Sequence, residues 1–351
     1  MIDKVKLYKV IVLDEKKISD KFRYENYIKD AEIDFETGEV LKDSHEVNQY
    51  KYKSKGITIR YSKNTNKLSY EGKLIDILDN SNLVYNLDDV YSLKNEIIEK
   101  TNEKIYEIVG IKLDVTDFKV SYIEICFNVF NVDVNRYIYL FNKTFIYKQD
   151  RRYMNYIIKN DLSNESSYYV KTKSSYEKNI KESYTINFYN KLDQLNNLEQ
   201  KESYYRSISK EDKELAKDLL RLEVQLSYKE LKKVSRKFNS FLDIDFCFNI
   251  IRKKYRFFIA KNEDINFYSY RKAKLLIEES EILNVKERNK ALKYLKDKYS
   301  FNKKFNKKQE DKYIKILNEI GIHGTLIDTK YKIDYLENPI KLLEKKIQKI
   351  K

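Results

Sequence analysis

The chain has 351 residues, a net charge of +15 at pH 7 and 42% hydrophobic residues, among them 32 Tyr and 17 Phe. This length and apolar content suffice for one large or two ordinary globular domains and exclude a disordered chain. Nucleotide binding by a GxGxxG or GxxxxGK loop is excluded because neither occurs, and two Cys with two His exclude both a four-ligand Cys/His zinc site and a disulfide framework.

The N-terminal half begins with alternating patterns that are typical of strands. MIDKVKLYKVIVLDEKK has lysines at alternating positions, which predicts a strand and excludes a signal peptide. Residues 56–62 and 67–73 are predicted to form a hairpin through the turn Asn64-Thr65-Asn66. A basic ridge surrounds this hairpin, with only Glu71 opposing it, and it consists of Lys51, Lys53, Lys55, Arg60, Lys63, Lys67 and Lys73.

The rest of residues 1–227 alternates helices with further strands. Apolar spacing predicts a helix over 93–110 that ends at Gly110, and Ser209 is predicted to cap another helix. Further expected elements are strands at 118–130, 166–172, 183–191 and 219–227 and a helix from about 133 to 142. This order predicts an α+β domain with a mainly antiparallel sheet.

Residues 228–351 differ in both periodicity and charge. They hold 32 Lys and Arg against 17 Asp and Glu, which accounts for the whole net charge, since residues 1–227 are neutral overall. Their segments have amphipathic helical spacing, and residues 301–308 are predicted to be an exposed connector. We expect a basic helical domain that binds DNA phosphates or serves in assembly; the alternative is an ordinary solvated helical surface.

Three glutamates occupy polar positions within predicted strands, namely Glu71, Glu124 and Glu223. Each could simply face water on an open sheet face. If they converge, however, their oxygens would suit a hard divalent cation such as Mg²⁺ or Mn²⁺.

Tyr189 ends the predicted strand INFYNK and is followed by Lys191. A tyrosine at a strand end can attack phosphorus when a metal polarises the phosphate, and Lys191 could neutralise that phosphate. The competing interpretation is a sheet-edge aromatic beside a solvated lysine. Tyr184, Tyr168 and Tyr169 are weaker candidates of the same kind.

The order and the amino-acid sequences of these segments resemble those of the replication initiators of filamentous phages, the gene II and gene X family of phage and plasmid proteins. The resemblance runs collinearly through MIDKVKL, GITIRYS, KLSYEGKL, VTDFKVSYIEICFNV, INFYNK and LRLEVQL to about Leu231. It implies a ferredoxin-like, nickase-type antiparallel sheet in residues 1–227 and rolling-circle initiation by origin-specific nicking. The family's tyrosine-x-lysine context falls on Tyr189 and Lys191.

The same resemblance supports Glu71, Glu124 and Glu223 as one metal site for Mg²⁺ or Mn²⁺, because the family shows acids at these positions. Related nickases hold their metal with a His-hydrophobic-His pair, which this sequence lacks, so carboxylates must replace it. The implied partners are a replication origin, as single-stranded or supercoiled DNA, and a host helicase.

Two alternatives remain open: a non-catalytic origin-binding or repressor protein, and a metal-dependent nuclease that uses water. No stretch approaches the ~18 apolar residues of a membrane span, so no membrane association is expected. The low cysteine content predicts a reducing cytoplasm.

Overall fold

A nine-stranded antiparallel sheet is the largest element of the computed structural model. The structure describes residues 2–14, 21–29, 32–33, 40–42, 45–54, 56–78, 93–147, 167–173, 182–199, 208–256, 264–300 and 304–350. The sheet contains β1 (Ile2–Val10), β2 (Arg23–Lys29), β5 (His45–Ser54), β6 (Ile57–Ser62), β7 (Lys67–Lys73), β8 (Lys119–Val129), β9 (Ser167–Lys173), β10 (Glu182–Asn190) and β11 (Leu220–Ser227). Their order across the sheet is β2-β5-β6-β7-β1-β8-β11-β10-β9.

Two small two-stranded sheets and a series of helices complete the described fold. In these sheets, β3 (Glu32–Ile33) pairs with β4 (Val40–Lys42), and β12 (Phe267–Tyr268) pairs with β13 (Tyr335–Leu336), which lies far along the chain. The helices are α1 (Leu74–Ile77), α2 (Lys94–Val109), α3 (Val134–Tyr147), α4 (Lys191–Glu199), α5 (Lys210–Leu215), α6 (Tyr228–Val234), α7 (Phe238–Phe241), α8 (Ile244–Tyr255), α9 (Tyr270–Glu278), α10 (Val285–Leu295), α11 (Lys307–Glu319) and α12 (Pro339–Ile350). The α+β class expected from the sequence is confirmed.

Most predicted elements of the N-terminal part occur within two residues of their expected bounds. The helix predicted over 93–110 is α2, and Gly110 ends it with a φ of 73°, the left-handed conformation that glycine adopts without a Cβ penalty. Ser209 caps α5 by accepting the Asp212 N–H at 3.0 Å. The helix expected from about 133 to 142 is longer and extends to Tyr147.

Two strands of the sheet, β2 and β5, were not predicted. Their sequences mix charged, amide and aromatic residues, so they lack a clean alternation of apolar and polar positions. They form by pairing beyond the predicted hairpin, where β5 pairs with β6 and β2 pairs with β5. Of the predicted basic ridge, Lys55 lies outside the described residues.

Helices α2, α3, α6, α8 and α12 pack on one face of the sheet. Its core combines strand residues such as Leu7, Ile59 and Leu222 with helix residues such as Ile105 on α2 and Phe248 on α8. The other face of the sheet carries the polar residues of each strand and is called the polar face here.

The hydrophobic clusters extend across the position where the charge changes. Leu231, Ile251 and Leu343, from α6, α8 and α12, belong to the same core as the sheet. A second core lies wholly within the last third and contains, among others, Ala273, Ile277, Ala291, Leu317 and Leu326. The helical character expected of this part is observed, and the short strands β12 and β13 were not predicted. Residues 301–303 of the expected connector lie outside the described part of the chain. Among the described helices, none has both the length and the apolar character needed to cross a membrane.

Candidate active site

The polar face brings Tyr189 and Glu223 together on neighbouring strands. In the register of β10 and β11, Asn187 lies opposite Glu223 and Tyr189 lies opposite Arg221. On the other side of β11, Glu223 is opposite Cys126 of β8. Because alternate residues of paired strands share a face, these side chains project from the same side of the sheet.

A β-bulge in the first strand adds Asp3 to this group. Ile2 pairs with Ile125 and Lys4 with Glu124, so two steps along β1 match a single step along β8, and Asp3 is the extra residue. Regular alternation would place Asp3 on the same face as the buried Val5. The bulge instead lets Ile2 remain in the core while Asp3 and Lys4 both face the polar side.

Three carboxylates form one cluster at this point, namely Asp3, Glu124 and Glu223. Each offers an oxygen that lies within 4.8 Å of the other two. Burial, followed by the charges of Glu223 and Asp3, raises the pKa of Glu124 to about 7. Burial, followed by the charge of Asp3, likewise raises the pKa of Glu223. Such mutual repulsion is expected where carboxylates share a site, and a bound cation would relieve it.

Asp3 differs from the two glutamates because cations are beside it. Burial alone would raise the pKa of Asp3, but the charges of Arg221 and then Lys191 lower it below its ordinary value. An Arg221 guanidinium nitrogen lies 3.6 Å from the Asp3 carboxylate, and Arg221 Nε donates to Asn128 Oδ1 at 2.9 Å. Arg221 is buried, so the cluster contains a fixed positive charge directly opposite Tyr189.

The Glu223 carboxylate accepts three hydrogen bonds from the polar face. Tyr189 Oη donates to it at 3.0 Å, Asn187 Nδ2 at 2.7 Å and Gln225 Nε2 at 2.9 Å. Burial, then the charge of Glu223, raises the pKa of Tyr189 well above its usual range. Glu223 is therefore positioned to take the Tyr189 proton, and the phenol does not ionise spontaneously near neutral pH.

One oxygen at the cluster lacks a partner. The Asn187 side chain is buried, its amide nitrogen binds Glu223, and its Oδ1 has no hydrogen-bond partner among the described residues. A buried carbonyl oxygen without a donor is costly unless something else binds it. Together with three carboxylates, this is an all-oxygen donor set that fits a hard divalent cation.

Lys191 begins α4 immediately after the strand that carries Tyr189. It is buried, and its Nζ donates to Gln194 Oε1 at 2.7 Å. Burial and then the charge of Arg221 lower its pKa to about 7, although Asp3 acts in the opposite direction. Lys191 is therefore an amine that can change protonation near neutral pH beside the carboxylate cluster.

The predicted trio of Glu71, Glu124 and Glu223 is not one cluster in this structure. Glu71 lies on β7, beyond β1, and its carboxylate contacts Lys4 Nζ at 2.7 Å, Lys6 Nζ at 3.1 Å and Arg60 at 3.4 Å. Burial alone would raise its pKa, but hydrogen bonds from the two lysines lower it to about 2. Glu71 is a paired carboxylate, and Asp3 takes its place in the cluster.

Tyr184 and Tyr168 lie at positions of the helix-covered face. Tyr184 is paired with Leu226, and Lys254 Nζ lies 3.9 Å from its ring centroid. Tyr168 pairs with Phe188, a core residue, whereas Tyr169 pairs with Asn187 and so occupies a polar-face position of β9. Of the tyrosines considered from the sequence, Tyr189 is the one bonded to the carboxylate cluster.

Asp3, Asn187 and Arg221 are the site residues that sequence reasoning missed. Arg221 alternates with Leu220 and Leu222 and so shares a strand face with Glu223, but an arginine in a lysine- and arginine-rich chain gives no reason to single it out. Asp3 was hidden by the bulge. Comparison of the chain with family models, with curated proteins and with solved structures found no match.

Proposed function

We propose that the chain is a metal-dependent DNA nickase and strand transferase that initiates rolling-circle replication, with Tyr189 as nucleophile. The observation that carries the proposal is the hydrogen bond from Tyr189 to Glu223 inside the three-carboxylate cluster. A nickase-type fold for the sheet and a basic helical module for residues 228–351 form part of the same proposal, as do an origin and a host helicase as partners.

The proposed reaction moves one proton and exchanges one ester bond. Tyr189 Oη loses its proton to Glu223 and forms a bond to phosphorus, while the bond from phosphorus to the 3′ oxygen of the preceding nucleotide breaks. The released 3′ oxygen takes that same proton from Glu223, and the 5′ phosphate stays on the tyrosine. A later attack by a 3′ hydroxyl reverses these steps and transfers the strand.

Asp3, Glu124, Glu223 and the free Asn187 oxygen would hold Mg²⁺ or Mn²⁺. When bound, such a cation polarises the phosphate and stabilises the charge that develops in the transition state. Arg221 holds positive charge opposite Tyr189, and Lys191, when protonated, can neutralise a phosphate oxygen. These two cations are the chain's own contribution to binding the reacting phosphate.

A second candidate is a metal-dependent nuclease that uses water as nucleophile. The burial of Tyr189, whose residue surface is only 4% exposed, favours it, because DNA must reach Oη for the tyrosine reaction. The two reactions leave different products, since only attack by tyrosine links protein to DNA.

Covalent capture tests the proposal and separates the two candidates. The full chain is incubated with Mn²⁺ and a supercoiled plasmid that carries a candidate origin, and nicked DNA is analysed for bound protein under denaturing conditions. We expect an adduct with wild type and with Tyr184→Phe, the matched control on the opposite face of the same strand, and none with Tyr189→Phe. An adduct with Tyr189→Phe would overturn the assignment; nicking without an adduct would establish the hydrolytic candidate.

A further inference from the structure

The polar face beyond the carboxylate cluster is strongly basic where β1, β7, β6, β5 and β2 lie side by side. Among residues whose side chains are described, the pairing registers place eight cations at polar-face positions of these five strands: Lys4, Lys6, Arg23, Lys51, Lys53, Arg60, Lys67 and Lys73. Apart from Asp3 of the carboxylate cluster, the carboxylates that oppose them among the described side chains of these strands are Glu25 and Glu71, and both already bind these cations. The described part of this face therefore keeps a large excess of positive charge.

Aromatic rings alternate with cations at the border between this face and α6. Lys67 Nζ lies 4.5 Å from the centroid of Tyr8, and Arg236 Cζ lies 5.3 Å from Tyr8 and 4.5 Å from Tyr228. Lys232 Nζ lies 4.7 Å from Tyr228. Arg236 Nε and Nη2 have no hydrogen-bond acceptor among the described residues.

The basic face is continuous with the candidate active site. Along β1 the polar side runs from Asp3 in the carboxylate cluster through Lys4 and Lys6 to Tyr8. Lys6 lies opposite Tyr122 of β8, with its Nζ 5.6 Å from the Tyr122 centroid. The span from β8 to β5 is four strand spacings, or about 19 Å, which corresponds to about six stacked nucleotides at about 3.4 Å each.

We infer that a single strand of DNA lies across this polar face, with its phosphates on the β1, β7, β6 and β5 cations and bases stacked on Tyr228, and enters the carboxylate cluster along β1. Proteins bind single strands without sequence preference through this combination of a basic track and exposed aromatic rings. The opposite face cannot serve, because the helices and the hydrophobic core cover it. The inference deepens the proposed function and rests on it for the choice of DNA.

Equilibrium binding in EDTA tests the path separately from the chemistry. The full chain is titrated against a fluorescent 12-nucleotide oligo(dT), and anisotropy is recorded at several salt concentrations. Lys53→Glu with Lys67→Glu reverses two exposed positions of the basic face. The matched control is Lys94→Glu with Lys112→Glu, an equal charge change at the two ends of α2 on the helix-covered side.

We expect the first pair to weaken binding about tenfold or more and to reduce the slope of log K against log salt by about 1.4, or about 0.7 for each lost phosphate contact on single strands. Tyr228→Ala should weaken binding about five- to tenfold through lost stacking. Its control is Tyr106→Ala on α2, which removes a ring of similar exposure, 48% against 43%. Thermal unfolding of each variant confirms that it is folded.

Equal effects of the two lysine pairs, or wild-type binding by Tyr228→Ala, would overturn the inference. So would binding of a polyglutamate peptide, or of a 12-base-pair duplex, as tight as that of oligo(dT). Loss of nicking with this binding pattern intact would count against the proposed function alone. Nicking at Tyr189 with binding insensitive to these variants would count against the strand path alone.

Discussion

Glu223 is the residue on which the candidate site depends, because it joins the carboxylate cluster to the proposed nucleophile. It is buried, it accepts hydrogen bonds from Tyr189, Asn187 and Gln225, and its pKa is raised by burial and by Asp3. A carboxylate that already accepts the hydrogen bond of the phenol is placed to take its proton, which suits a base for a phenol that resists ionisation. Variants of its neighbours separate its two roles: Asp3→Asn changes the cation site, and Tyr189→Phe removes the group that would give Glu223 a proton.

The identity of the third carboxylate is the sharpest residue-level prediction. If the cation binds where the oxygens converge, Asp3→Asn should weaken Mn²⁺ binding by more than about tenfold, because it removes a charged ligand from the site. Glu71→Gln removes a carboxylate of the same sheet face that is bonded to lysines, and should leave Mn²⁺ affinity within about twofold of wild type. Calorimetric titration of the two variants measures both, and the reverse ranking would restore Glu71 to the metal site.

Glu124 gives a prediction for the pH dependence of stability without metal. Its pKa rises on folding from 4.5 to about 7, so the folded state binds more protons between these values and stability falls as pH increases through that window. Glutamine at this position is neutral at every pH, so Glu124→Gln should remove this fall in stability. In urea unfolding with EDTA, the free energy of unfolding of the variant should therefore rise relative to wild type by about 1 to 3 kcal/mol between pH 5 and pH 8.

Glu71→Gln is the control for that experiment, because the sign of its shift is opposite. Its pKa is lowered to about 2, so the stability it contributes is present above pH 4.5 and is lost only as pH falls towards 2. The difference between this variant and wild type should stay constant from pH 5 to pH 8. A Glu124→Gln gap that is equally constant would show that Glu124 is ionised throughout.

At the scale of elements, the C-terminal end of α2 gives a testable prediction, because its sequence signal is clear. It terminates at Gly110 with a φ of 73° and a hydrogen bond from the Gly110 N–H to the Tyr106 carbonyl at 2.8 Å. Gly110→Ala should lower the unfolding free energy by about 1 kcal/mol, since alanine is disfavoured in this conformation, and Gly110→Asn by less. Urea denaturation measures both, and equal losses would point to packing rather than backbone conformation as the cause.

The elements with strict local patterns were predictable from the sequence, and those fixed by pairing were not. β11 alternates Leu220, Leu222, Val224 and Leu226 with Arg221, Glu223 and Gln225, and it occurs as expected. Tyr189 and Glu223 could be placed on one face in this way. Asp3 could not be placed on that face, because the bulge depends on how β1 pairs with β8 and the sequence of β1 alone does not indicate it.

At the scale of the whole molecule, the basic last third is built into the sheet rather than appended to it. The Tyr255 hydroxyl, on α8, lies 2.7 Å from the Asn187 carbonyl oxygen and accepts the Glu223 N–H at 2.8 Å, and its ring packs on Phe188 at 4.7 Å between centroids. These contacts hold the backbones of the two strands that carry the candidate site. Deleting residues 228–351 would remove them and expose the core, so charge reversal is the cleaner test of what the positive charge does.

The helix α10 offers such a test, because Lys286, Lys290 and Lys293 are exposed on it at spacings that share one helix face. If this charge contributes affinity for the duplex around an origin, reversing all three to Glu should reduce the slope of log K against log salt by about 2.7, or about 0.9 for each phosphate contact. Reversal of Lys94, Lys112 and Lys217, all in the first 227 residues, changes net charge equally and controls for long-range effects. Nicking of an oligonucleotide at low salt should survive in both variants, since lysines that contact phosphates supply affinity and not the choice of the scissile bond. If the α10 variant keeps the wild-type slope, the charge of this helix is a solvated surface, and the excess charge of residues 228–351 has to act elsewhere or in contacts with another protein.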